Sequence, residues 1–340
     1  MSLQQINTKL LKDHIGRQAR YLRISITDRC NFHCLYCRDP RRENYISHEN
    51  ILRYEEILRF ARIMKTLGVG KIRITGGEPF ARKNCMGFLL ELRKIFPDLQ
   101  LCLTTNASLL EPWLSDLERF KPQSINISLD SFKDASFAKI TGSDSLGIIL
   151  KNIDSLLSRG LRVKLNAVAL RGITDKEIDN FLHAVREMPV DLRFIEFMPM
   201  GNSTCWSKER YLASREIFDL INEKAELKPV NSEGRTLDGP AKMFLIKNAK
   251  GRIGFISALS DHFCAECNRL RLTSDGKLRT CLFSDKEYAL AAMLRNSHVT
   301  DNLVLKAVLN AHKNKPLGAD ILRTKERLAV SGKEMSGIGG

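Results

Sequence analysis

No stretch of this 340-residue chain approaches the roughly 18 consecutive apolar residues a membrane span needs, and the N-terminus "MSLQQINTKLLKDHIGR" has no apolar signal core, so a cytoplasmic location is expected. There is no Lys/Arg block and no aromatic pattern of the RNA-binding kind, which argues against nucleic acid as a partner despite a net charge of +15. Internal repeats and low-complexity segments are missing as well. The nine cysteines are odd in number and widely spread, which does not fit a disulfide framework. Most conspicuous is a missing fourth cysteine: "CNFHCLYC" holds Cys30, Cys34 and Cys37 and then stops, and "CAECNRLRLTSDGKLRTC" repeats the omission with Cys264, Cys267 and Cys281.

A structural zinc site takes four protein ligands. Zinc remains open for either triplet if a histidine completes it, His33 or His14 for the first and His262 for the second. A [4Fe–4S] cluster held by three thiolates would instead keep one iron open for a substrate or cofactor. The remaining cysteines, Cys85, Cys102 and Cys205, read as ordinary small residues, with Cys102 inside the apolar "LCLTT".

With 43% hydrophobic residues the chain can bury a large core. "YLRISITD" alternates as a strand does, and "RYEEILRFARIMKTLG" follows with Ile57, Ala61, Met64 and Leu67 on one helical face and Gly68 as the stop. The beat recurs through "KIRIT", "LQLCLTT", "SINISLD", "LRVKLNAVAL" and "DLRFIEFMP". Six strands alternating with helices predict an α/β fold, an incomplete (β/α)6 barrel of the TIM type, whose chemistry gathers at the C-terminal strand ends. Beyond residue 200 the expected elements are a helix at "SREIFDLINE", a hairpin in "KMFLIKNAKGRIGFIS", the second triplet and further helices. The division is therefore an N-terminal segment 1–20, a barrel 21–205 and a C-terminal domain 206–340.

A Cx3Cx2C triplet after the first strand together with "GGEP" after the second resembles the radical S-adenosylmethionine enzymes. The second triplet, with "LRISITDRC", "KIRITGGEP", "INISLD", "RFIEFM", "SDGKLRTCLF" and the closing "GIGG", resembles the GTP 3′,8-cyclases of molybdenum cofactor biosynthesis. The resemblance implies two [4Fe–4S] clusters, on Cys30, Cys34 and Cys37 and on Cys264, Cys267 and Cys281, with S-adenosylmethionine at the first and GTP at the second. It implies that Tyr36, Gly77, Ser128 and Met198 contact S-adenosylmethionine, and that Arg23, Arg73, Thr104, Lys164, Arg269, Leu270 and Arg271 contact GTP, with Lys71 and Arg193 as helpers. It further implies that a deoxyadenosyl radical takes hydrogen from C3′ of GTP before C3′ bonds to C8, and that Gly339 and Gly340 assist from a C-terminal extension closing the barrel opening. A downstream cyclic pyranopterin monophosphate synthase, a flavodoxin or ferredoxin donor and a homodimer are the implied partners. Two departures stand out: "CRDP" where the family commonly has "CMP", and Ala107 where it has Gly.

Overall fold

The computed structural model describes residues 11–37, 45–201, 205–230, 239–325, 331–333 and 335–339. The expected strands are all present: β1 (Tyr21–Ser25), β2 (Lys71–Thr75), β3 (Gln100–Thr105), β4 (Ser124–Ser128), β5 (Val163–Ala169) and β6 (Asp191–Glu196). They pair in chain order, every ladder parallel. The first crossover helix, Tyr54–Thr66, buries Ile57, Ala61 and Met64 as its period predicts. It ends where Gly68 turns to φ +87 and donates its N–H to the Lys65 carbonyl at 3.0 Å.

The outer face of this sheet carries the hydrophobic core: Leu22, Ile24, Ile72, Ile74, Leu101, Leu103, Ile125, Ile127, Leu192 and Phe194 are buried together with residues of the surrounding helices. Side chains alternate along a strand, so the residues between these face inward. In a closed barrel of this type the interior is filled by branched apolar residues. Here the inward positions include Arg23, Lys71, Arg73, Asn126, Lys164, Asn166 and Arg193, and they line a cavity.

Residues 206–340 continue the same sheet through β7 (Leu227–Pro229), β8 (Lys242–Ile246), β9 (Arg252–Ile256), β10 (Arg269–Leu272), β11 (Lys277–Arg279) and β12 (Tyr288–Ala289). The expected hairpin is β8 with β9, and "NRLRL" is extended as β10. Beyond that expectation, β9 joins β6 and β10 joins β1, both in parallel, so the order runs β12-β11-β10-β1-β2-β3-β4-β5-β6-β9-β8-β7. The connection 257–268 must therefore pass from the C-terminal end of β9 to the N-terminal end of β10, across the open side between the two barrel edges. Glu196, the last residue of β6, holds it there by accepting the N–H groups of Leu259 at 2.7 Å and Ser260 at 3.0 Å. The extension closes the barrel opening in this way. Among the described residues no helix is long and apolar enough to cross a membrane.

Candidate functional site: a cationic barrel between two cysteine triplets

A single cavity of about 310 Å³ is lined by all six triplet cysteines. The triplets lie at opposite ends of the barrel. Cys30, Cys34 and Cys37 follow β1, at the C-terminal strand ends where chemistry was expected. Cys264 and Cys267 precede β10, which runs parallel to β1, and Cys281 follows the antiparallel β11. The second triplet is therefore at the N-terminal ends, a placement opposite to the strand-end rule.

Between them the strand registers stack cations in rows. Arg23 is paired on one side with Arg73 and on the other with Arg271. One layer nearer the N-terminal ends, Tyr21 is flanked by Lys71 and Arg269. Lys164 and Arg193 extend the field across β5 and β6. Burial makes this charge costly: it lowers Arg23 to about 10 with Arg73 adding repulsion, Arg193 to about 9 with Arg73 adding, and Lys164 to about 8 with Arg193 adding. Arg271 is driven well below its ordinary value by burial, Arg23 and Arg269. The Nε of Arg193 is buried without a hydrogen-bond partner. Such a cluster is relieved by a multiply charged anion, and guanidinium groups match phosphate oxygens in pairs.

The expected GTP contacts do not all face the cavity alike. Arg73 is largely committed to the protein: Nε donates to Tyr21 Oη at 2.7 Å, Nη1 to the Leu103 carbonyl at 2.5 Å and Nη2 to Ser124 Oγ at 3.3 Å. It fixes Thr104, whose Oγ1 is 3.4 Å from Nη1. Arg269 rests over the Phe263 ring at 4.9 Å and lines the cavity. Leu270 has the opposite strand parity and is buried in the helix-facing core, which leaves only its backbone for a ligand.

At the first triplet, Tyr36, Gly77, Ser128 and Met198 all line the cavity. Tyr36 donates to Asp130 Oδ2 at 2.6 Å, and burial raises Asp130 to about 6. The absence of a side chain at Gly77 is required by the protein itself, since a Cβ there would lie 2.3 Å from the Arg29 carbonyl. This contact seats the glycine turn against the cysteine loop, with Gly77 N–H donating to Thr27 O at 2.7 Å. Burial pushes Glu78 of the same motif up to about 7, and it ties the end of β3 by accepting Thr105 Oγ1 at 2.8 Å and Asn106 N at 2.7 Å.

The donors fit iron–sulfur clusters. At the second triplet a Cβ on Gly318 would lie 3.2 Å from Cys281 Sγ and 3.5 Å from Cys264 Sγ, so the glycine keeps clear a space onto which two of the three sulfurs open. No group of three or more His, Cys, Asp and Glu side chains among the described residues is placed to hold a single metal ion. Of the histidines weighed for zinc, His33 is exposed, His14 Nδ1 is 3.1 Å from the Lys313 carbonyl, and His262 Nδ1 is 3.0 Å from the Ala258 carbonyl.

Cys102 is buried, as its reading as an ordinary small residue expects, but on the inner face, in register with Arg73 and Ser124; burial opposes its ionisation, and Arg73 and Lys71 outweigh it and hold the thiol below its usual range. Its parity with Thr104 was the available signal. Asp130, Tyr21, Glu78, Glu196 and Lys315 were missed as well, the last three because their roles depend on partners distant in sequence. The "CRDP" departure lies at 37–40, of which 38–40 fall outside the described residues, as does Gly340. Ala107 keeps a left-handed φ of +64.

A partial barrel with a three-cysteine loop after β1, backed by a glycine turn after β2, is the architecture of the radical S-adenosylmethionine class, and residues 24–185 match the family described as "Radical SAM superfamily". Residues 190–321 match "Molybdenum Cofactor Synthesis C". The chain belongs to the GTP 3′,8-cyclase family. It is 39% identical over 305 residues to the GTP 3′,8-cyclase of Desulforamulus reducens, covering 89% of this chain and 93% of the relative. It is 40% identical over 330 residues to that of Clostridium botulinum, covering 96% and 99%. The solved structure of Streptococcus suis SuiB bound to S-adenosylmethionine shares the fold, with a TM-score of 0.63 at 15% identity over 89% of this chain and 67% of that one.

Proposed function

We propose that this protein cyclises GTP to 3′,8-cyclo-7,8-dihydro-GTP, the first step of molybdenum cofactor biosynthesis. The observation that carries the reading is one cavity with a cysteine triplet at each end and rows of buried and half-buried cations between. With a [4Fe–4S] cluster at each triplet and S-adenosylmethionine at the first, the bound groups supply a 5′-deoxyadenosyl radical able to take hydrogen from C3′. The chain's own residues do the rest. Tyr36, Gly77, Ser128 and Met198 border the cofactor. Arg23, Lys164, Arg193, Arg269 and Arg271 neutralise the triphosphate, while Arg73 holds Thr104 and Tyr21 in place beneath it. Gly339 and Gly340 assist the reaction. Residues 21–205 serve the cofactor and 206–340 bring the second cluster. A cytoplasmic homodimer, reduced by a flavodoxin or ferredoxin and delivering its product to a cyclic pyranopterin monophosphate synthase, completes the proposal.

Anaerobic incubation with S-adenosylmethionine, reductant and a panel of nucleotides tests it. GTP alone should give a cyclised product, and about eight irons per chain are expected. Cyclisation of ATP at a similar rate, or about four irons in active enzyme, would refute it.

A further inference from the structure

Among the described residues Lys315 is the most deeply buried lysine, 1% exposed, and no carboxylate among them lies within ion-pair distance of it. An unpaired ammonium is rarely taken out of water, since its desolvation costs several kcal/mol. Its hydrogen-bond partner here is the Arg269 carbonyl, 2.5 Å from Nζ and two residues on from Cys267, on whose sulfur its charge acts. Its own backbone is clamped: the carbonyl accepts Arg17 Nη2 at 2.7 Å and the N–H donates to the His312 carbonyl at 2.9 Å. Of the other cations nearby, Arg17 is paired with Asp13, and Arg269, which lies over Phe263, acts on Cys267 after Lys315. At the other end of the barrel the charged neighbour of Cys34 is the Asp130 carboxylate.

We infer that Lys315 is a positioning residue that sets the redox balance of the second site, making the group held by Cys264, Cys267 and Cys281 easier to reduce than the group held by Cys30, Cys34 and Cys37. The inference rests on the two-cluster reading above. Reduction adds one electron from an external donor and moves no proton; the added negative charge falls beside a fixed ammonium at one site and beside a carboxylate at the other. Local charge is an established control of cluster potential. With the second site holding its electron more tightly, the first is left as the stronger reductant, which suits cleavage of a sulfonium.

The test uses the full chain with Cys30, Cys34 and Cys37 all replaced by Ser, so that only the second site loads. About four irons are expected; none would overturn the two-cluster reading and this inference with it. In that background, dithionite titration followed by electron paramagnetic resonance compares Lys315→Met with Lys315→Arg. The expected result is at least a tenfold fall in the reduced-to-oxidised ratio at fixed poise for Lys315→Met, equal to 59 mV for one electron, and recovery of most of it in Lys315→Arg. An unchanged ratio in Lys315→Met, or an equal fall in both variants, would show that Lys315 only packs and would overturn the inference. If Lys315→Met loads no iron, Lys315→Arg decides: recovery of both iron and ratio supports the role, and failure to recover them overturns it.

Discussion

The Arg271 guanidinium donates to the carbonyl of Gly339, joining the row of cavity cations to the end of the described chain. Gly339 sits at φ +73, where an added Cβ would lie 2.6 Å from Thr75 Cγ2 and 3.3 Å from Ser25 Cβ. The tail thus rests on the C-terminal ends of β1 and β2, beside the first triplet.

Gly339→Ala should displace the tail rather than unfold the protein, because the left-handed penalty of about 1–2 kcal/mol and the clash are both relieved if the last residues lift away. Product formation should fall by on the order of 10²-fold, the cost of misplacing reacting groups by about 1 Å. Thermal melting and iron content should stay near wild type. Normal turnover at saturating GTP would show the tail to be dispensable.

Cys281→Ser should damage GTP turnover more than reductive cleavage of S-adenosylmethionine, since the triplets occupy opposite ends of the cavity. The check is product analysis of both reactions in the same preparation, with iron confirmed at the first site. Equal loss of both would contradict separate duties.

Nucleotide affinity should be level below about pH 8 and fall above it. Burial and Arg193 lower Lys164 to about 8, and a bound triphosphate favours its charged form, so above that value binding must first restore a proton. Tyr21 acts in the same direction. Burial resists its ionisation, but Arg73, Arg23 and Lys71 bring it to about 8, so a phenolate joins the cavity over the same range. Calorimetric titration with GTP from about pH 6.5 to 9.5 should show this fall, with Lys164→Met and Tyr21→Phe each flattening part of it. Affinity that rises above pH 8 would exclude the assignment.

Glu78→Gln should destabilise the fold by about 1–3 kcal/mol, because the carboxylate accepts from Phe80 N, Thr105 Oγ1 and Asn106 N, and an amide NH2 must face one of those donors. The denaturant midpoint is the readout. A change within a few tenths would mean the loop readjusts.

Ala107→Gly should be nearly neutral. Relief of the left-handed conformation, about 1–2 kcal/mol, is offset by about 0.8 kcal/mol for the buried methyl and about 0.5–1 kcal/mol for glycine's greater chain entropy. A gain above about 2 kcal/mol in chemical denaturation would show that the alanine strains its loop.

Local features were legible because local chemistry decides them. Alternation marked the six strands, Gly68 marked a helix end, and cysteine spacing marked both triplets. Strand parity also carried information that the reading did not use: Cys102 shares the inner face with Thr104, and Leu270 cannot share a face with Arg269 and Arg271. What stayed hidden depends on contacts between distant segments. Nothing near Arg269 indicates that β10 will lie against β1, so neither the row Arg73, Arg23, Arg271 nor the position of the second triplet could be read in advance. Lys315 in "HKNKP" looks like a surface lysine until the chain after the helix Asp301–Lys313 brings its Nζ to 2.5 Å from the Arg269 carbonyl.

The pairing of β1 with β10 also has a consequence during synthesis. At roughly 5–20 residues per second, about 10–50 s separate the emergence of Tyr21 from that of Leu272. For that interval one flank of β1 has no neighbour, and an unpaired strand edge invites association with other chains. The first three cysteines stand uncovered on the same nascent segment. Maturation of this enzyme is therefore a race in which the last third of the polypeptide must arrive before oxygen or a foreign strand does.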